Sequence, residues 1–355
     1  MLNDLKVLIF ICVLASFSSV RVSAQDAMYS QPYALPMLIS PSFAGLSYSS
    51  RASLLFRDQW PGMMATYRNY ALSYDTYLER YNSGIGIMFN RNDQGKGMYV
   101  VDNVAALYSY DIEIKRGYYI RQGMKFEYVG RGLDYSKLNY YNQINPEDGK
   151  VPDNINGSLG TASNSKFDAG ASVMAYLKWG WIGVTVDHLV KSNIGFTDMG
   201  NYNNIKTTVY GGTKFDMHRI YSGQTQQTLS FAFHYQRQAG FNQLMLGSYW
   251  FLNPLEIGIW YRGIPFENVN GDVNNDAVIF IAGITLGKLK FAYSYDLSLS
   301  KLAGYSGGAS EFTVSWYFKS NFRTKGKKRA IPCPGVFLGG LGGNKYTRTS
   351  FGSGF

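Results

Sequence analysis

The chain has little cysteine, little histidine and few charged residues. Its 2 cysteines are Cys12, inside an N-terminal apolar run, and Cys333 near the other end. If the first run is removed, Cys333 stands alone, which excludes an intramolecular disulfide and a cysteine-rich metal site. After residue 24, the longest apolar run is 277–286, which has the length of a strand and not the roughly 18 residues of a spanning helix.

Residues 1–24 have the pattern of a signal peptide. Lys6 supplies the positive charge, residues 7–17 form a short apolar run, and Val22-Ser23-Ala24 offers small residues for cleavage. We therefore expect cleavage near Ala24 and a mature chain that enters the bacterial envelope.

The chain is rich in segments in which apolar and polar residues alternate. Between Tyr118 and Tyr128 apolar and aromatic residues alternate with Arg121, Lys125 and Glu127. Successive side chains of a strand point to opposite faces, so one face is apolar and the other charged. The pattern recurs about fourteen times, and strands of about ten residues behind a secretion signal are typical of outer-membrane barrels. Residues 49–320 are therefore predicted to be an all-β fold, a transmembrane antiparallel β-barrel of about 14 strands.

The composition agrees with a barrel. Aromatic residues make up 16% of the chain and charged residues 16%, against about 25% charged in ordinary soluble domains. The 29 Tyr, 22 Phe and 39 Gly suit aromatic girdles and close strand packing.

The links between strands predict the topology. Short turns broadly alternate with longer polar loops, which we expect at 130–166, 190–205, 263–275 and 298–309. Outer-membrane barrels have short periplasmic turns and longer loops at the cell surface. An even number of strands then places both termini in the periplasm.

The two flanks of the barrel lack its periodicity. Residues 25–48, which contain Pro32, Pro36 and Pro41, are predicted to be a periplasmic lead-in or plug. Residues 321–355 are predicted to be an irregular, basic and Gly-rich periplasmic tail.

The formal net charge of +10 owes much to that tail. Such a local excess argues against a nucleic-acid surface. Two interpretations stay open: a solvated tail, or a site for anionic lipid or an acidic partner. The candidate partner-binding residues are Arg323, Lys325, Lys327, Lys328, Arg329 and Cys333.

No catalytic, cofactor-binding or metal-binding group stands out, and we expect no enzyme. The 3 histidines are far apart in the sequence. Asp187 and His188 are neighbours on a predicted strand, so we expect them to face opposite sides. His188 would share the lipid-facing side with Val184 and Val186.

The charged inner face has two interpretations. Arg121, Lys125 and Glu127, with Asp111 and Glu113, should line the interior of the barrel. They either fill the barrel as salt-bridged side chains together with a plug, or form a selective pore, and a barrel of this size favours filling and plugging.

Several short motifs occur in the order in which a known family has them. They resemble the PorP/SprF family, outer-membrane proteins of the type IX secretion system in Bacteroidetes. The motifs that carry the resemblance are Ser40-Pro41-Ser42-Phe43-Ala44-Gly45, Arg57-Asp58-Gln59-Trp60-Pro61-Gly62, Asp187-His188-Leu189, Tyr261-Arg262-Gly263, Tyr293-Ser294-Tyr295-Asp296 and Cys333-Pro334.

The resemblance implies a barrel that serves secretion or surface attachment of cargo. An SprF-like member would export or anchor one secreted surface protein, such as a gliding adhesin, and would contact that type IX cargo, other secretion components and outer-membrane lipid. The alternatives are a core PorP-type component of the trans-envelope machine and a small-solute porin or transporter. The family-motif positions are Asp58, Gln59, Trp60, Asp187, His188, Tyr261, Arg262, Asp296 and Glu311.

The chain departs from the family pattern at two places. It continues from Gly335 to Phe355 beyond the Cys-Pro element, and the Ser-His-Glu of the last strand appears as Ala309-Ser310-Glu311. The first departure suggests a specific partner, and the second removes the histidine of that pattern.

Overall fold

Fourteen antiparallel strands form one closed barrel in the computed structural model. It describes residues 26–318 except positions 48, 64–65, 116, 138–160, 178, 197–201, 219–226, 270–271 and 300–303. The predicted signal peptide and basic tail therefore lie outside the described residues. The strands are β1 Arg51–Gln59, β2 Tyr67–Leu78, β3 Ser83–Gln94, β4 Tyr99–Lys115, β5 Tyr118–Asp134, β6 Thr161–Leu177, β7 Gly180–Asp187, β8 Lys206–His218, β9 Gln227–Gln238, β10 Phe241–Leu252, β11 Leu255–Val269, β12 Asp272–Leu286, β13 Leu289–Ser298 and β14 Ala309–Tyr317.

The barrel closes because β1 pairs with both β2 and β14. Leu54 lies opposite Leu72 on one side and opposite Val314 on the other. Every other strand pairs with its neighbours in sequence, so none of the strands that the structure describes has an unpaired edge. The predicted all-β barrel of about 14 strands is confirmed.

The two faces of each strand follow the alternation of the sequence. On β2 and β3, Leu72 and Ile87 point outward and are 53% and 62% exposed, while Ser73 and Met88 point inward and are buried. An apolar outer surface suits a hydrocarbon environment, where an Arg or Lys at the bilayer midplane costs about 2–4 kcal/mol. The outer surface is therefore the lipid-facing one.

The barrel has two different ends. The turn end is where β1 begins and β14 ends, and the loop end is the opposite one, where β7 ends and β8 begins. The predicted loop at 263–275 is wrong, because β11 and β12 continue to a pair between Val269 and Asp272. At the same end, β9 and β10 are joined by Ala239 and Gly240, both with positive φ, in the manner of a type I′ hairpin. The loops at this end are thus fewer than the sequence indicated, because the strands extend into them.

Residues 26–47, here called the luminal segment, lie inside the barrel. They cross it lengthwise: the Gly45 backbone N–H donates to Asp75 at the turn end (2.9 Å), and the Asp26 N–H donates to Gln238 at the loop end (2.9 Å). The described chain therefore begins at the loop end and finishes at the turn end. The true termini lie outside the described residues, so the predicted periplasmic position of both stays a prediction.

Proline and serine shape the middle of the luminal segment. It contains two single 3₁₀ turns, Pro36–Leu38 and Pro41–Phe43, each with proline in its first turn, where a backbone N–H is not needed. The Ser40 side chain accepts from the Ser42 N–H at 3.2 Å and so caps the second turn. Opposite these turns, a Cβ at Gly84 or Gly123 would collide with the backbone of Ala44 or Ser42. Glycine is required there so that the segment can approach the wall.

Candidate functional site

The candidate site is the loop-end half of the lumen, because charged wall residues and the first described residues meet there. We divide the luminal segment into an inner part, residues 33–46, and an outer part, residues 26–31. The two parts are held by different forces.

Aromatic packing holds the inner part. Tyr33 lies against Trp181 and Trp260, with ring centroids 5.7 and 6.0 Å apart, and Phe43 lies 5.0 Å from Tyr210. Tyr33 and Phe43 are almost fully buried. Each aromatic pair contributes about 0.5–1.5 kcal/mol beyond its buried area, so this part is a true hydrophobic core inside the barrel.

A first charged cluster holds the end of the outer part. The backbone N–H groups of Ser30 and Gln31 donate to the two carboxylate oxygens of Glu311 at 2.8 and 2.9 Å. Arg57 lies 3.3 Å from Glu311 and 3.0 Å from Asp296.

Arg262 completes this arginine cluster, which we define as Arg57, Arg262, Asp296 and Glu311. Its guanidinium lies 3.0 Å from Asp296, and it also donates to the Tyr29 carbonyl at 3.4 Å. Two positive and two negative charges cancel, which buried ionic groups require. Asp276, which is 42% exposed, also lies 3.5 Å from Arg262, so the cluster presents a charge-paired, hydrogen-bonding surface to the peptide backbone.

The Gln31 side chain fits the same wall. Its Nε2 donates to Ser294 Oγ at 3.2 Å and to the Glu311 carbonyl at 3.0 Å. Its Oε1 accepts from Thr313 at 2.9 Å. A buried amide needs several partners, and here both of its ends are satisfied.

A second charged cluster holds Asp26. Its carboxylate lies 2.6 Å from Lys206 Nζ and 3.0 Å from His188 Nε2. The other ring nitrogen of His188 lies 2.5 Å from Asp168, and Lys206 also lies 3.4 Å from Asp187. The histidine cluster consists of Asp26, Asp168, Asp187, His188 and Lys206. Its other four residues receive the acidic side chain of Asp26 from the luminal segment.

The structure corrects the prediction for His188. The residue is buried beside the lumen, not on the lipid face, and it shares that side with Asp187. The two-residue period fails because β7 ends at Asp187 and His188 has a left-handed backbone, with φ of 61°. Its neighbours Asp168 and Asp26 are distant in the sequence, so no local pattern indicates them.

Ionisation in the histidine cluster is shifted by its charges. Burial disfavours the charged imidazolium, but the Asp26 carboxylate and the bond to Asp168 outweigh it and raise the pKa of His188 to about 9. Burial disfavours the Asp26 carboxylate too, but Lys206 and His188 outweigh it and hold the pKa of Asp26 well below its ordinary value. At neutral pH both members of this pair are therefore charged.

The same region contains a set of potential metal ligands. Ligand atoms of Glu127, Asp168 and His188 all lie within 4.8 Å of one another. However, Lys125 Nζ lies 3.3 Å from Glu127, and Asp168 is engaged by the protonated His188. Both acids have cationic partners in this structure, so the three residues take part in an ion-pair network.

The charged inner face predicted for β4 and β5 takes part in these networks. Arg121, Lys125, Glu127 and Asp111 are buried, whereas Glu113 near the turn end is exposed. Lys125 lies 2.7 Å from Asp187, and Arg121 lies 3.5 Å from Asp111. Of the two interpretations, these contacts fit a filled and paired interior.

The remaining family-motif positions lie around the rim of the arginine cluster or farther away. Gln59 accepts from Arg57 at 3.3 Å, and Asp58 lies 3.5 Å from Arg68. The Trp60 N–H donates to the Gly308 carbonyl at 2.8 Å and ends β1. Tyr261, by contrast, hydrogen-bonds Asn275 away from both clusters. The tail candidates Arg323, Lys325, Lys327, Lys328, Arg329 and Cys333 lie outside the described residues.

A polar cavity of about 150 Å³ lies beside the outer part at the loop end. One wall consists of alternate luminal positions of β3, where Asn90, Asn92 and Gln94 follow one another. Asn90 also accepts from the Tyr29 hydroxyl at 3.1 Å. His234 lines the opposite side, is 7% exposed, and its Nδ1 has no hydrogen-bond partner among the described residues. The cavity thus has unused hydrogen-bonding capacity.

An apolar outer surface around a charge-paired lumen, in a closed antiparallel barrel, is the architecture of bacterial outer-membrane proteins. Residues 21–316 match the family described as type IX secretion system membrane protein PorP/SprF. The chain belongs to this family. The match confirms the resemblance that the motifs of the chain indicated, and it confirms the predicted outer-membrane location. Other components of that secretion system are therefore its expected partners.

Helices do not contribute membrane spans in the part of the chain that the structure describes: none there is long and apolar enough to cross a membrane.

Solved structures with a similar fold share little sequence with the chain. The CymD monoaromatic hydrocarbon channel is 11% identical, with 85% of this chain and 96% of that chain covered and a TM-score of 0.46. A Pseudomonas aeruginosa FadL homologue is 10% identical, with coverage of 83% and 98% and a TM-score of 0.40. BamA from Haemophilus ducreyi is 8% identical, with coverage of 76% and 70% and a TM-score of 0.39. No curated protein sequence matches the chain.

Proposed function

We propose that the chain is an SprF-type barrel that exports or anchors one secreted surface protein, such as a gliding adhesin. The observation that carries this proposal is a lumen occupied by the chain's own residues in a member of a secretion family. A lumen filled in this way favours holding a protein partner over free passage of solutes. No covalent chemistry is part of this function.

The proposed orientation follows the barrel ends. The turn end faces the periplasm and the loop end faces the cell surface, as the short-turn rule for outer-membrane barrels indicates. Signal cleavage near Ala24 would leave the mature N-terminus close to Asp26, at the loop end. Cargo would be gripped by surface loops such as 130–166, and the basic tail 321–355 would dock on the machinery inside.

Deletion of the gene tests the proposal, with the surface proteins of the mutant compared with those of the parent strain. We expect one surface protein, or one small set, to disappear while other type IX substrates remain. Loss of every type IX substrate would contradict a cargo-specific role and favour the core PorP-type alternative. Copurification from solubilised outer membranes, with bound proteins identified, would name the partner.

The small-solute channel is the second candidate, and the cavity beside the outer part is the observation that favours it. It predicts steady ion conductance of the purified full chain in planar bilayers. A folded barrel that stays silent in this assay would count against a channel and leave the cargo proposal standing.

A further inference from the structure

We propose that the loop-end half of the lumen is a peptide-binding groove, now occupied by residues 26–31, which a segment of the exported protein replaces. The expected ligand is a peptide with an acidic residue four positions before a bend at which two successive backbone N–H groups point the same way, as in Asp26 and Ser30-Gln31. This inference rests on the proposed function for the identity of the ligand, and on the geometry alone for the groove.

The groove recognises peptide backbone. Glu311 accepts from two successive N–H groups of the outer part, at 2.8 and 2.9 Å, and Arg262 donates to the Tyr29 carbonyl at 3.4 Å. At the other end Gln238 accepts from the Asp26 N–H at 2.9 Å. These contacts use backbone groups, so another sequence that bends at the same place can make them.

The binding site for the Asp26 carboxylate adds specificity for the side chain of the peptide. The Asp26 carboxylate is received by Lys206 at 2.6 Å and His188 at 3.0 Å, with Asp168 and Asp187 behind them. A basic residue in this place would meet two cations, and a neutral one would leave them without their carboxylate. An incoming peptide therefore needs an acidic side chain at this position.

When the outer part leaves, it gives up the apolar contacts of Met28 with the core of the inner part and of Tyr29 with the smaller cluster around Leu35. Its backbone pairs with side chains of the wall and not with a strand ladder, and the Asp26 side chain is 34% exposed. The inner part is packed among Trp181, Trp260 and Tyr210 and stays in place. The boundary between the two parts falls between Gln31 and Tyr33.

The cavity gives an incoming chain room beside the resident one. Its volume of about 150 Å³ is about ten times the ~10–15 Å³ that one water needs. Asn92, Gln94 and the unpartnered Nδ1 of His234 line it and supply hydrogen-bonding groups that residues 26–31 leave unused. A ligand can thus make contacts that the resident segment does not make.

Exchange has to overcome an intramolecular competitor. A tethered segment acts at an effective concentration on the order of millimolar, so a free peptide of equal affinity is excluded from the intact protein. Weakening the resident anchor should therefore reveal the groove. Asp26→Asn does this, because it removes the charge and keeps the shape of the side chain.

The experiment measures binding of a capped, fluorescent peptide with the sequence of residues 26–33 to the purified full chain in detergent. By fluorescence anisotropy we expect binding to Asp26→Asn at least about tenfold tighter than to the unaltered protein, a difference of ~1.4 kcal/mol. Asp102→Asn is the matched control, because it makes the same change at an exposed ion pair with Arg91 outside the lumen. It should bind no better than the unaltered protein.

Two further arms separate a groove from general loosening. The double variant with Asp26→Asn and Glu311→Gln should bind the peptide about tenfold more weakly than Asp26→Asn alone, because the charged acceptor of two N–H groups is lost. A peptide with asparagine in place of its acidic residue should also fail to bind. Heat-modifiable migration on SDS gels verifies that each variant is a folded barrel.

Three outcomes would overturn the inference. They are no peptide binding by folded Asp26→Asn, equal binding of the charged and neutral peptides, and preference of the cavity for maltoheptaose over peptide, which would indicate a glycan site. All arms use the chain's own sequence in vitro, so their failure leaves the gene-deletion test of the proposed function unaffected.

Discussion

The inner and outer parts of the luminal segment are neighbours in sequence and opposites in physical chemistry. The inner part buries aromatic and aliphatic side chains in a core that the barrel wall completes. The outer part is held mainly by carboxylates, guanidinium groups and an imidazole. Hydrophobic burial is insensitive to pH and to competing polar groups, whereas ion pairs respond to both. One segment can therefore be fixed at one end and exchangeable at the other.

The largest expected effect comes from breaking the fixed end. Tyr33→Ala removes the ring that contacts both Trp181 and Trp260 and leaves a cavity in the core. We expect the free energy of unfolding to fall by about 3–5 kcal/mol. Urea unfolding in detergent, followed by tryptophan fluorescence, measures it. Phe280→Ala on the lipid face is the control; an equal loss there would show that the inner part is not a special core.

Glu311→Gln should have the next largest effect, because it weakens the anchor of the outer part and leaves Arg57 short of a partner. We expect a loss of about 1–3 kcal/mol in the free energy of unfolding. Hydrogen exchange of residues 26–31 should accelerate much more than that of residues 33–46. Equal acceleration of both parts would mean that they open as one unit.

Between about pH 6.5 and 9, the pH dependence should come from His188, which holds the Asp26 end of the outer part. The pKa of His188 is raised to about 9, so its ion pair with Asp26 is complete below about pH 6.5 and is lost as the pH rises through about 9. The urea midpoint of the unaltered protein should fall over this range, and that of His188→Gln should change less. A fall of the same size in both proteins would assign the effect to other groups.

The smallest effect is expected outside the lumen. Asp102→Asn breaks an ion pair with Arg91 that is 3.4 Å long and in which both side chains are exposed. Exposed pairs contribute about 0–1 kcal/mol, so unfolding should change by no more than that. A larger loss, measured by the same urea titration, would show that charge at the loop end matters beyond the two clusters.

The sequence by itself determined the barrel. The two-residue period from Tyr118 to Tyr128 depends only on which face each side chain takes, and this local rule predicted a barrel of about 14 strands; it failed at 263–275, where β11 and β12 run through a predicted loop. The inward position of Arg121, Lys125 and Glu127 followed from the same rule. The family followed from short motifs in their order.

Only the tertiary structure decided what fills the barrel. Residues 25–48 have no period, so nothing local indicates that Asp26 reaches the loop end or that Ser30 and Gln31 meet Glu311. His188 was assigned to the wrong face because one left-handed residue interrupts the alternation. Contacts between residues more than 150 positions apart, such as Asp26 with His188, depend on closure of the whole sheet. A rule based on neighbouring residues cannot predict such long-range contacts.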